Sequence, residues 1–424
     1  MKINKKMLII ELNEFCPNHL EEIANRLNLK YLKKIFNLNH TKTYTNDLKE
    51  FQGLDPWVQW VSIHNGIPLK KHGVKRLGDI SKIHNTQIWN NLANKKNINW
   101  VVNGVMNSKK GDSKGCILFI PDPWSSDEKA FPEEINSLLE LSKYVAKNYL
   151  SLNYLKLLEK LIKAIPFFLR IKNLQLTKKL FIKILKSAFN PGLNVHTLTI
   201  LFDYLLVLYF SRETAKKDID LTIIFLNHIA HLQHHFWLEP PYIHPQMKYG
   251  AKICNEIIGI LMKTLNKNDI LLVLNALSQK RSDIKGIQVY RQKDPIKVLQ
   301  RLNIKNMKVE QNMTNDGTLI FKKNHHLNEA FKILSSCKLS TGENLFFIEK
   351  LSDSRLFVQL NINHYVAKDT LVISDQNIFP FYELFLNLTR TGSHIPEGDI
   401  FSKNIKLPNN IENHKIYEYI LKSF

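Results

Sequence analysis

Short runs of consecutive apolar residues alternate with longer stretches of helical spacing along the first third of the chain. Residues 7–10, Met-Leu-Ile-Ile, form such a run and predict a buried strand that ends at Glu11-Leu-Asn-Glu14. Helical periodicity follows over 19–36, and a second strand is expected near 42–45. Residues 57–64 predict a helix closed by Asn65-Gly66 and Pro68, a stop signal. Further strands are expected at 99–103 and 116–120. Strands alternating with helices in this way predict a mostly parallel sheet covered on both faces.

The pattern changes near Pro132. Three amphipathic helical stretches, 133–149, 152–169 and 174–189, follow with little strand character. They predict an inserted helical cap over 132–211. The α/β pattern returns with a strand at 219–226, a helix at 250–266 and a strand at 269–275. Strand-like pieces at 318–321, 344–348 and 356–360 suggest a small antiparallel subdomain over about 284–375, and a last helix is expected at 381–388. The α/β core is thus read as 1–131 and 212–424, with the cap between.

Composition adds limits. The chain has 424 residues, 44% of them hydrophobic, which is ample for a core. No segment reaches the length of a membrane span, and the apolar run near the N-terminus is too brief for a signal peptide. Four scattered cysteines suit a reducing compartment, so a cytoplasmic location is expected. The formal charge of +21 is uneven: between Lys143 and Lys186 there are eleven Lys or Arg residues and one acid, Glu159. Such a field favours an anionic small molecule or glycan, or peripheral contact with a membrane surface. No nucleic-acid module is present, and the oligomeric state is left open.

Candidate chemistry concentrates at Asn227-His-Ile-Ala-His-Leu-Gln-His-His235, four histidines within eight residues after an apolar strand. Imidazole is the commonest protein ligand for zinc-like metals. The carboxyl end of a parallel strand is where open α/β sheets bind ligands.

Several pieces in order resemble the alkaline phosphatase superfamily, nearest its type I phosphodiesterase/nucleotide pyrophosphatase branch. Trp60-Val-Ser-Ile-His-Asn-Gly-Ile-Pro-Leu-Lys-Lys-His-Gly73 resembles the helix that follows the nucleophile in that family. Asn227 and His231 have the spacing of its D-x-x-x-H metal pair, and His394-Ile-Pro-Glu-Gly398 resembles its late histidine motif. The resemblance implies an alkaline phosphatase-like α/β/α sandwich with a mostly parallel sheet and the inserted cap. It also implies hydrolysis or transfer at a phosphate or sulfate ester. A glycan or lipid-linked surface-polysaccharide intermediate is the expected substrate, since the combination also looks like members associated with surface-polysaccharide gene clusters.

The sequence departs from that family in ways that matter chemically. The family's chemistry uses two divalent metals about 4 Å apart to neutralise the ester. The aspartate of its metal pair is Asn227, and its late Asp-His pair falls on Ala276 and Leu277. Glu11 stands where the first carboxylate ligand belongs, with Asn13 and Glu14 as rivals. Metal ligands are therefore expected from Glu11, Asn227, His231 and His394. One divalent ion (zinc, or manganese or calcium) is expected rather than two. His228, His234 or His235 could substitute for lost carboxylates. The resemblance places the nucleophile just before residues 57–64, near Leu54-Asp55-Pro56, where no hydroxyl stands, so Asp55 and Ser62 are the nucleophile candidates. Asn13, His228, His235 and Arg390 are candidate substrate contacts, Arg390 as a bidentate clamp for an anion. Trp57, Trp60 and Trp124 fit either a sugar platform or core packing. The competing reading is a catalytically inactive relative that binds an anionic glycan or nucleotide.

Overall fold

The computed structural model describes every residue except 1–4, 48–53, 80, 81, 85, 113, 124–127, 149, 151, 284, 285, 313, 314 and 376. Trp124 lies outside the described residues. In chain order the first elements are β1 (Met7–Leu12), α1 (Pro17–Arg26), α2 (Lys30–Phe36), β2 (Asn39–Tyr44), α3 (Pro56–Asn65), α4 (Leu69–His72), α5 (Ile88–Lys96), β3 (Trp100–Val105) and β4 (Cys116–Pro121). Helices α6 (Asn136–Asn148), α7 (Tyr154–Leu169), α8 (Leu174–Phe189) and α9 (Val195–Thr214) follow. Then come β5 (Leu221–Leu226), α10 (His228–Phe236), α11 (Pro245–Met262), β6 (Ile270–Leu274) and β7 (Ser278–Arg281). Next are β8 (Tyr290–Gln292), α12 (Pro295–Arg301), β9 (Met307–Gln311), β10 (Asp316–Phe321), α13 (Asn324–Ser336) and β11 (Lys338–Leu339). The order continues with β12 (Phe346–Ser352), β13 (Arg355–Leu360), β14 (Leu371–Ile373), β15 (Ile378–Pro380), α14 (Phe381–Leu384) and β16 (Phe385–Asn387). It closes with β17 (Gly392–Ile395), β18 (Glu397–Lys403), β19 (Asn410–Glu412) and α15 (Ile416–Lys422).

The chain divides into two units. The first comprises residues 1–140, 162–281 and 391–424, and the second 141–161 and 282–390. The first holds an eight-stranded sheet in the order β19-β2-β18-β6-β1-β5-β3-β4. Strands β6, β1, β5, β3 and β4 run parallel, and β18 is antiparallel to both its neighbours. The central strands β1, β5 and β6 are buried at every position. That is why they read as unbroken apolar runs: a parallel strand covered on both faces has no polar side to alternate with.

Period-two alternation assigns the two faces. Met7, Ile9 and Val102 share a core with Trp60 and Ile63 of α3, Ile88, Trp89 and Leu92 of α5, and Ile416 and Ile420 of α15. Asn103 points the other way, where its Nδ2 donates to the Leu206 carbonyl of α9 at 3.1 Å. This is an α/β fold with a mostly parallel central sheet and helices on both faces. The α3 stop occurs where the sequence predicts it: Gly66 takes a left-handed φ of 69° and its N–H caps the Ser62 carbonyl at 3.0 Å. The helical stretch read over 19–36 is two helices, separated at Asn28 with a φ of 50°.

The second unit is built on an antiparallel sheet β12-β13-β10-β9 with α13 packed on it. The helix expected over 381–388 is only one turn, α14; residues 385–387 instead form β16, paired with β8. Phe385 stacks on Phe381 inside that unit's core, and cross-strand pairing overrides the local helical spacing.

Candidate metal centre

The register of the sheet brings the carboxyl ends of β1, β5 and β6 to one edge: Glu11 lies opposite Phe225 on one side and Leu274 on the other. The turn after β1, the start of α10 and the segment after β6 therefore meet there. A two-stranded ribbon, β7 with β17, adds the last component, with His394 opposite Gln279.

Glu14 is the hub. Its Oε2 lies 2.9 Å from Nε2 of His234 and 2.9 Å from Nε2 of His394. The two imidazole nitrogens are 3.3 Å apart. Gln279 donates its amide to the same Oε2 at 2.7 Å, and Asn13 donates to Oε1 at 3.0 Å. Asn13 is itself held, giving a second N–H bond to Asn227 Oδ1 at 2.9 Å and accepting from the Trp60 indole at 2.8 Å. Glu14 adopts a left-handed φ of 47°. For a residue with a Cβ this costs on the order of 1–3 kcal/mol, a strain that persists only where surroundings enforce it.

The donor set fits a divalent cation on two grounds. Donors about 2.0–2.1 Å from a tetrahedral zinc ion lie roughly 3.3 Å from one another, close to the spacings of these three atoms. The protons give the second. His234 Nδ1 faces the Gly392 carbonyl at 3.0 Å, so that nitrogen carries a proton and donates. A neutral His234 would then turn a lone pair onto a carboxylate. Such a contact holds only with positive charge between the two, either a second proton or a metal ion. Burial by itself raises the Glu14 carboxyl, but His394 and His234 outweigh that and hold it well below the usual carboxylate range.

Gly392 is required by this geometry. A Cβ there would stand 2.3 Å from Gln279 Oε1 and 2.8 Å from the Gln233 carbonyl. Gly392→Ala is expected to destabilise the protein by about 1–3 kcal/mol and to weaken metal binding, because relief of the clash separates β17 from α10. Urea unfolding and zinc titration of the variant check both effects.

The carboxylate that meets His394 is Glu14 rather than Glu11. Glu11 shares the β1 face of Met7 and Ile9, and its Oε1 lies 2.6 Å from His64 Nε2 inside the core of α3. The left-handed turn instead delivers Glu14 to the sheet edge. Asn227 stands at the start of α10 and meets Asn13. His231 is not grouped with His394; it lies with His196 and His235. His228 is fully buried and pairs with Asp203 at 2.7 Å. Arg390 belongs to the second unit, where its backbone pairs with Ile287.

Asp55 is half-buried at the start of α3, its carbonyl accepting from Val58 and Gln59. Ser62 is buried within α3, 3.0 Å from His72 Nε2. The Val74 amide donates to His72 Nδ1, so Nε2 carries the proton and points it at the hydroxyl, the wrong way to activate a nucleophile. Burial lowers His72 to about 4, in keeping with a neutral ring. Trp60 is in the core, and Trp57 donates to the Lys75 carbonyl.

Sequence reasoning named Glu14 and His234 only as a rival and a substitute, and it missed Gln279, Gly392, Asp203 and His196. Gln279 and His394 become neighbours only through the β7–β17 register, and nothing local to Asp203 marks it as the partner of His228.

No protein-family model matches the chain, and no curated protein does. Among solved structures it is similar to human ectonucleotide pyrophosphatase/phosphodiesterase 5, at 10% identity and a TM-score of 0.44, over 99% of this chain and 94% of that one. The murine protein in complex with AMP matches at 10% identity and a TM-score of 0.42, over 99% and 95%. Phosphonoacetate hydrolase from Sinorhizobium meliloti 1021 in complex with phosphonoformate matches at 9% identity and a TM-score of 0.45, over 99% and 96%.

Proposed function

We propose that the protein is a hydrolase or transferase acting on a phosphate or sulfate ester, with Glu14, His234 and His394 holding one divalent metal. The observation that carries this reading is the meeting of one buried carboxylate and two imidazoles around a single oxygen at the sheet edge. A bound divalent ion there would neutralise an anionic ester and polarise its oxygen. Glu14 supplies the charge, the Gly392 carbonyl fixes the His234 ring, and the amides of Asn13 and Gln279 hold the carboxylate in place. Ala276 and Leu277 are buried and apolar, so a second metal has no ligands from that segment and the chemistry is that of one ion. Purified protein assayed on aryl phosphate mono- and diesters and aryl sulfate, with zinc, manganese or calcium added, tests this. The same apolar pair favours a second reading, an anion binder without turnover. Ligand binding that persists with no hydrolysis under any metal would decide for it.

The substrate we infer is a glycan or lipid-linked intermediate met at an anionic membrane surface. Helix α8 buries Leu176 and Leu180 but exposes a second apolar stripe, Leu174, Phe181, Ile182, Leu185 and Phe189, with Phe181 57% and Phe189 90% exposed. Exposed Lys172, Lys178, Lys179 and Lys186 border it. An outward apolar stripe edged with lysines matches acyl chains beneath anionic headgroups. No described helix is long and apolar enough to cross a membrane. The protein is expected to sediment with phosphatidylglycerol-containing vesicles and not with pure phosphatidylcholine, with salt weakening the association. Phe181→Glu with Leu185→Glu should abolish it. A protein that stays in the supernatant at low salt would remove this part of the reading.

A further inference from the structure

Helix α10 carries a second group of imidazoles beside the Glu14 centre. His231 and His235 are four residues apart and share one face of the helix. His196, in the first turn of α9, closes on them: its Nδ1 is 2.8 Å from His231 Nε2. The three ring centroids lie 4.8, 5.1 and 5.0 Å apart, and one donor from each ring lies within 4.8 Å of the others. Both arms are fixed. Asn194 caps α9 by accepting from Thr197 N at 3.0 Å, and Thr197 Oγ1 bonds the Gly192 carbonyl at 2.6 Å. Phe236 packs edge-on against His196 and is covered by the stacked ring of His244.

We propose that His196, His231 and His235 form a separate transition-metal site, with zinc as its natural class of ion. Three imidazoles suit zinc, nickel or copper and offer nothing to magnesium or calcium, which want oxygen. Around zinc the nitrogens would sit roughly 3.3 Å apart, so the closest pair opens by about half an ångström and the third ring swings inward. Three neutral ligands leave the ion's full charge uncompensated and a fourth position for water or an anionic group of a ligand. Burial and the neighbouring His244 lower the pKa of His196, which favours the neutral, metal-binding form of the ring.

The full chain, stripped by chelator and titrated with zinc against a chromophoric competitor, is expected to bind two equivalents. His196→Gln and His235→Gln should each remove one of them, weakening it more than about 100-fold, beyond the usual cost of losing a ligand's supporting partner. Glu14→Gln should remove the other. Wild-type stoichiometry and affinity in His196→Gln would overturn the trihistidine site. Loss in His196→Gln with both equivalents kept in Glu14→Gln would support it and remove the Glu14 centre instead. A measurement on the unaltered chain guards against a variant that fails to fold. Zinc should protect His196, His231 and His235 from diethylpyrocarbonate, mapped by mass spectrometry, and equal modification with and without zinc would also overturn the proposal.

Discussion

Replacing Glu14 by glutamine is expected to lower ester hydrolysis by roughly 10³-fold, with the fold intact. The exchange keeps the shape of the side chain and removes its charge. At about 1.4 kcal/mol per tenfold, that loss is about 4 kcal/mol, the scale of charge stabilisation a bound metal provides. His394→Ala should behave alike, since His394 reaches the same oxygen at 2.9 Å. Rates measured on aryl phosphates at saturating zinc, beside the zinc affinity of each variant, give the answer. Turnover in Glu14→Gln within a few-fold of wild type would place the chemistry elsewhere. The charge also sets a pH dependence. The folded pKa of Glu14 is depressed, so its contribution to stability is fully present above the unfolded value of about 4.3 and is lost as pH falls through the folded value. The stability gap between wild type and Glu14→Gln, followed by urea unfolding, should therefore narrow as pH drops below about 4.

Asp203→Ala is expected to cost about 3–5 kcal/mol of stability, the range for stripping one partner from a buried ionic or hydrogen-bonded group. One oxygen of Asp203 accepts from the amides of Asn227 and His228 at 2.8 and 2.9 Å and contacts the His228 ring at 2.7 Å. It thus stands in for the side-chain cap that α10 lacks, and it places negative charge at a helix N-terminus. Removal leaves two amides and an imidazole nitrogen buried without that acceptor. Because α10 carries His231, His234 and His235, zinc affinity should fall as well. Urea unfolding in the presence of a chelator separates the two effects, since bound metal itself adds stability. A loss under about 1 kcal/mol would show that α10 does not depend on this carboxylate.

Much of the α/β core was legible from residue order. The runs at β1, β5 and β6 are apolar at nearly every position because both faces of those strands are covered. The Asn65-Gly66 stop was legible because few residues other than glycine accept the left-handed backbone. Motif spacing drew attention to His394, and the histidine-rich stretch drew attention to α10, the two places from which the candidate group with Glu14 is built. Two things were not legible. The 385–387 segment has helical spacing, yet it pairs with β8. Glu11 has the better position in the strand, yet its direction on the pleat sends it to His64.

The sequence by itself determined the parallel α/β layering, the unusual density of imidazole after β5, the basic character of the helical stretch and the apolar pair Ala276-Leu277 after β6. Tertiary structure decided which histidines lie together: His394 joined His234 and Glu14, and His231 joined His196 and His235. The reason is geometric. Period and composition specify the face on which a side chain lies, but a three-atom site depends on strand register, a left-handed turn at Glu14 and the crossing of α9 over α10. Those are fixed only when distant segments pack.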